Sequence, residues 1–94
     1  MELRFNNNQI GNKDLEEFAV SLSKLNSLRC FELYIRYNQI SNIAELATAI
    51  SKLQLVTLAL DLRDNQISKD ISVDFMKILE KTYSNDNAEL DVYF

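Results

Sequence analysis

The chain has 94 residues, room for one domain at most, and a domain of that size buries only a modest share of its surface. A net charge of −4 argues against a general binder of nucleic acid or of anionic membranes, and 47% hydrophobic content against a disordered chain. Histidine is absent, which removes the usual general base and the commonest metal ligand, and the single cysteine, Cys30, allows no internal disulfide.

The first element is a strand block, Leu3-x-Phe5-x-x-Asn8-x-Ile10, with alternating apolar and polar residues. Leu15, Phe18, Leu22 and Leu25 follow at helical spacing, with a start signalled by Asp14 and Glu17. Leu33-x-Ile35-x-x-Asn38-x-Ile40 repeats the strand block. Ile43, Leu46, Ile50 and Leu53 repeat the helix, its start signalled by Asn42 and Glu45. Leu60-x-Leu62-x-x-Asn65-x-Ile67 is a third block, and Ile71 to Tyr83 a third helix. That helix fits the pattern less well, because Asp74 and Lys81 fall where apolar residues are expected. Leu90-x-Val92 begins a fourth strand, aligned on Leu60-x-Leu62 at a spacing of 30 residues.

Asn-Gln-Ile thus recurs at residues 8–10, 38–40 and 65–67. Strands separated by helices run parallel, because a parallel pair needs a long crossover. One such unit cannot bury its own apolar face, and stacking the units side by side supplies the partner. The expected product is an arc with strands on the concave side and helices on the convex side.

This pattern resembles the leucine-rich repeat family in its long, ribonuclease-inhibitor-like form. The resemblance covers essentially the whole chain and rests on three copies of Leu-x-hydrophobic-x-x-Asn-x-Ile plus a partial fourth. Two features depart from the family. Only Gly11 supplies the glycine that often follows the Asn, with Ser41 and Ser68 in the other places, and capping segments are missing. The resemblance implies an α/β solenoid of about three repeats plus a partial fourth. Residues 1–94 are then a single domain, uncapped or a fragment of a longer array.

The resemblance also implies that Asn8, Asn38 and Asn65 turn inward and bond the backbone, as fold residues. Phe5, Phe18, Phe31 and Phe75 are expected to fill the wedge between helices and sheet. The outward strand positions are the candidate partner-binding residues: Arg4, Tyr34, Arg36, Tyr37, Asp61, Arg63, Asp64, Asp91 and Tyr93, with Asn6 and Asn7 beside them. They form two columns, Arg4, Tyr34, Asp61, Asp91 and Asn6, Arg36, Arg63, Tyr93. Tyr and Arg are enriched where proteins bind one another, and the plainer reading is a solvated face with ion pairs from Arg36 to Asp61 or Asp64.

No catalytic constellation is found. Asp61 and Asp64 have arginine neighbours, the serines lack a histidine, and Cys30 has only Arg29 near it in sequence. The expectation is a non-catalytic interaction or scaffold module, without cofactor or metal, that binds a protein through its concave face. The alternative is an architectural subunit of a large complex that docks through exposed end repeats, end-to-end self-association included. A minor alternative is an RNA-contacting Tyr/Arg surface. No apolar run reaches transmembrane length, and the sequence has neither a signal-peptide core at its N-terminus nor an Asn-x-Ser/Thr sequon. These features lead to the expectation of an intracellular, cytoplasmic protein without a membrane partner.

Overall fold

The apolar alternation of the repeated blocks becomes four strands, and the intervening stretches three helices. The computed structural model describes residues 1–84 and 87–94. In chain order the elements are β1 (Glu2–Arg4), α1 (Asn12–Leu22), β2 (Cys30–Tyr34), α2 (Ala44–Ser51), β3 (Thr57–Asp61), α3 (Lys69–Thr82) and β4 (Glu89–Tyr93). The strands form one parallel sheet in the order β1-β2-β3-β4, so the fold is mixed α/β.

One face of the sheet is apolar. Phe31, Leu33 and Ile35 from the β2 region, and Leu58, Leu60 and Leu62 from the β3 region, are buried. Against them lie Leu15, Ala19 and Leu22 of α1, Leu46, Ala47 and Ile50 of α2, and Phe75 and Leu79 of α3. Each large aliphatic side chain so buried contributes about 1.5–3 kcal/mol relative to exposure. The alternate strand residues, Glu32, Tyr34, Ala59 and Asp91 among them, face away from this core and stay half-buried or exposed, except Asp61, which is buried.

Several expectations are corrected. The β3–β4 register pairs Leu58 with Leu90 and Leu60 with Val92, not Leu60 with Leu90. A slip of two residues leaves every side chain on its face, so alternation alone cannot detect it. Phe5 is 39% exposed because it follows β1, an edge strand of the sheet, and Phe18 is only half-buried, stacked 6.1 Å from Phe31. Phe31 and Phe75 are core residues. Leu25 lies beyond the end of α1 and is exposed.

The helix starts differ too. Helix α1 begins with Gly11 as its cap, and the Asp14 carboxylate accepts the Gly11 N–H at 3.1 Å from within the first turn. Asn42 accepts the Ala44 N–H at 3.0 Å at the start of α2. For α3 the cap is Ser68, whose hydroxyl accepts the Ile71 N–H at 3.3 Å. Phe75, Leu79 and Tyr83 form the buried stripe of that region at four-residue spacing, so Asp74 and Lys81 fall outside it and Ile78 is exposed. The Tyr83 hydroxyl donates to the carbonyls of Ile50 and Leu53, tying the end of α3 to the end of α2. Among the described residues no helix is long and apolar enough to cross a membrane.

Candidate functional site: the open face of the sheet

Beyond each of the first three strands the chain makes the same turn. Asn7, Tyr37 and Asp64, each just before a repeated Asn, all have φ near +60°. The turns are laddered as the strands are, the Asn7 N–H donating to Arg36 O at 2.9 Å and the Tyr37 N–H to Arg63 O at 3.3 Å.

The repeated Asn fastens each turn to the preceding one. Asn38 Oδ1 accepts the Ile10 N–H at 3.0 Å, while its Nδ2 reaches the carbonyls of Phe5, Ile35 and Arg36 at 2.9–3.0 Å. Asn65 does the same one unit on, with the Ile40 N–H and the carbonyls of Ile35, Leu62 and Arg63. Asn8 is exposed and, among the described residues, its amide reaches only Asn6 O at 3.1 Å, β1 being an edge strand of the sheet.

With its ends fixed in this way, the sheet presents an open face arranged by strand register. One row across the sheet is Arg4, Tyr34, Asp61, Tyr93; the row below is Glu2, Glu32, Ala59, Asp91. The expected column therefore needs correction. Tyr93, not Asp91, stands beside Asp61, because of the two-residue shift of β4. Arg36, Tyr37, Arg63 and Asp64, like Asn6 and Asn7, lie past the strand ends, in the turns rather than on the strands.

Every arginine of this face sits over a tyrosine ring. The guanidinium carbon lies 4.7 Å from the ring centroid for Arg4 over Tyr34, 5.1 Å for Arg36 over Tyr37 and 5.3 Å for Arg63 over Tyr93. Each pair contributes about 0.5–1 kcal/mol where exposed and holds both side chains in place. Each arginine also has a carboxylate. Arg4 pairs with Glu2, Arg36 with Asp64 at 2.9 Å, and Arg63 with Asp61 through Nε and Nη2 at 2.9 and 2.7 Å.

This two-point contact, aided by the Arg63 backbone N–H, holds the buried Asp61 below the usual carboxylate range against the opposing effect of burial. The same contact raises Arg63. The Tyr34 hydroxyl donates to Glu32 Oε1 at 3.1 Å, and chiefly for that reason its pKa is raised, since an acceptor favours the protonated phenol.

Between these side chains the face holds an open depression of about 470 Å³, lined by Glu32, Tyr34, Ala59, Leu60, Asp61, Arg63, Asp91 and Tyr93. Five of the residues singled out in the sequence thus converge there: Tyr34, Asp61, Arg63, Asp91 and Tyr93. Arg4, on β1, does not line the depression but lies over the Tyr34 ring at its side, and Arg36, Tyr37 and Asp64 form a separate group in the turns. Glu32 and Ala59 were missed. Both lie two residues before a named position on the same strand, so alternation carried back along β2 and β3 would have found them.

Comparison of the chain with family models, curated proteins and solved structures finds no match.

Proposed function

We propose that the chain is a leucine-rich repeat solenoid that binds a protein partner through the open, concave face of its sheet, without cofactor or catalysis, in the cytoplasm. The observation that carries the reading is the set of three arginines clamped over three tyrosines on the solvent side of a parallel sheet. Parallel sheets are ordinarily covered on both faces. An uncovered face lined with preordered Tyr and Arg offers contact area at low entropic cost, and these residue types dominate protein-binding hot spots. The repeated Asn contacts and the parallel register support the solenoid.

The test compares wild type with a variant carrying Tyr34, Arg36, Tyr37 and Arg63 all changed to Ala, in a quantitative pull-down from extract of the source cell. Circular dichroism first establishes that both are folded. Loss from the variant of partners held by wild type is the expected result. Retention of the same partners at the same levels contradicts the reading.

A second reading, an architectural subunit docking through its ends, is favoured by one observation. Apolar residues are exposed at both limits of the sheet, Met1 and Phe5 beside β1 and Tyr93 and Phe94 at β4. Open strand edges are templates for pairing with another chain. On that reading Leu3→Lys or Val92→Lys abolishes assembly and the quadruple variant does not.

A further inference from the structure

We infer that the depression over Ala59 is a socket for one lysine or arginine side chain of a basic protein segment. The inference deepens the proposed function and rests on the open face being the binding surface.

The face carries Glu2, Glu32, Asp61, Asp64, Glu89 and Asp91 against Arg4, Arg36 and Arg63. All three arginines are engaged in the ion pairs described above, which use Glu2, Asp64 and Asp61. Glu32, Glu89 and Asp91 have no cationic partner among the described residues. An approaching basic segment therefore meets uncompensated negative charge, and an acidic one meets arginines already neutralised.

Register places Ala59 directly between Glu32 and Asp91. Neighbouring strands lie about 4.8 Å apart, so the two flanking carboxylate-bearing positions are roughly 10 Å apart. Ala59 ends at its Cβ, which leaves the space between them open. In the next row Tyr34 and Tyr93 flank Asp61 in the same way and provide two aromatic walls. Asp61 itself is neutralised by Arg63.

A cation standing over Ala59 thus has a carboxylate on either side and the tyrosine rings beside its alkyl stem. Carboxylate pairing and ring contact are the two interactions that recognise Lys and Arg. Part of the side-chain arrangement is fixed beforehand, because the Tyr34 hydroxyl is bonded to Glu32 and the Tyr93 ring is packed under Arg63.

The test uses a fluorescein-labelled tetra-arginine peptide, followed by anisotropy at low salt, with amide NMR shifts to locate the contact. Binding is expected to shift the amides around Ala59. The pair Glu32→Gln and Asp91→Asn is expected to weaken it tenfold or more. Changing Glu16 and Glu17 of α1 to Gln, which removes the same two charges from an exposed helix, is expected to change affinity less than twofold. Ala59→Leu fills the depression without altering charge and is expected to weaken binding at least fivefold.

Equal weakening by the two charge variants, an unaffected Ala59→Leu variant, or no binding to wild type overturns the inference. The two proposals fail separately. If the quadruple alanine variant keeps its cellular partners while the socket binds the peptide as described, the partner reading falls and the socket stands. If that variant loses its partners while the Glu32/Asp91 variant binds the peptide normally, the socket falls and the open-face reading stands.

Discussion

Replacing Asn38 with Ala removes an amide that bonds four backbone groups, but only two of them are left without a partner. Ile35 O still accepts from Asn65, and Arg36 O from the Asn7 N–H. The Ile10 N–H and the Phe5 carbonyl have only Asn38 among the described residues. The side chain is 7% exposed, so water replaces it poorly. An unsatisfied buried group costs about 1–3 kcal/mol, which makes the expected loss for two about 2–6 kcal/mol. A chain of this length has roughly 5–14 kcal/mol of stability in all, so the variant folds marginally, with a melting temperature lower by about 10–30 °C. Asn8 makes the same kind of turn but only one exposed bond, and Asn8→Ala is expected to lie within about 0.5 kcal/mol of wild type. Urea unfolding followed by circular dichroism, at fixed slope, measures both. Losses for Asn38→Ala and Asn8→Ala that agree within about 0.5 kcal/mol would refute the reasoning, since the difference rests wholly on the neighbouring unit.

Phe31→Ala is expected to cost about 3–5 kcal/mol in the same assay, and Phe5→Ala, at the open end, less than about 1 kcal/mol, from their burial. Asp61 is held below its ordinary value in the folded chain. Its contribution is therefore complete above the unfolded carboxylate range, near pH 4, and is lost as pH falls through the folded value. Between pH 6 and pH 2 the urea midpoint of wild type is expected to fall more steeply than that of Asp61→Asn, and parallel profiles would contradict this. Tyr37 adopts a left-handed conformation that bulky residues avoid and Asn tolerates. Tyr37→Asn, which matches Asn7 at the equivalent turn, is expected to gain about 0.5–1 kcal/mol in thermal unfolding despite losing the ring beneath Arg36.

The repeat made the strands and helices legible, because a period of two and a period near 3.6 are imposed directly by burial on one face. The inward role of the repeated Asn came from the family resemblance rather than from the alternation; Asn38 and Asn65 take it, and Asn8, exposed at the edge, does not. Register was not legible. The β4 shift preserves the face of Leu90 and Val92, and the information that decides it lies in how β4 meets β3, not in the alternation. The left-handed turns at Asn7, Tyr37 and Asp64 were also hidden, since Tyr gives no sign of the conformation it occupies. That error extended the strands past Tyr34 and Asp61 and put Arg36, Tyr37, Arg63 and Asp64 on them. At the site, the tyrosines and arginines could be chosen by type. Ala59 could not, because what it contributes is the absence of a side chain between Glu32 and Asp91.

Site-specific photocrosslinking in extract of the source cell distinguishes the open face from the helices as the contact surface. A p-benzoylphenylalanine replaces Tyr34 on the open face or Glu17 on the outer side of α1. Protein adducts are expected from position 34, reduced when Arg36, Tyr37 and Arg63 are also changed to Ala, and none from position 17. Adducts from position 17 with none from position 34 would contradict the open-face reading and move the contact surface to the helices.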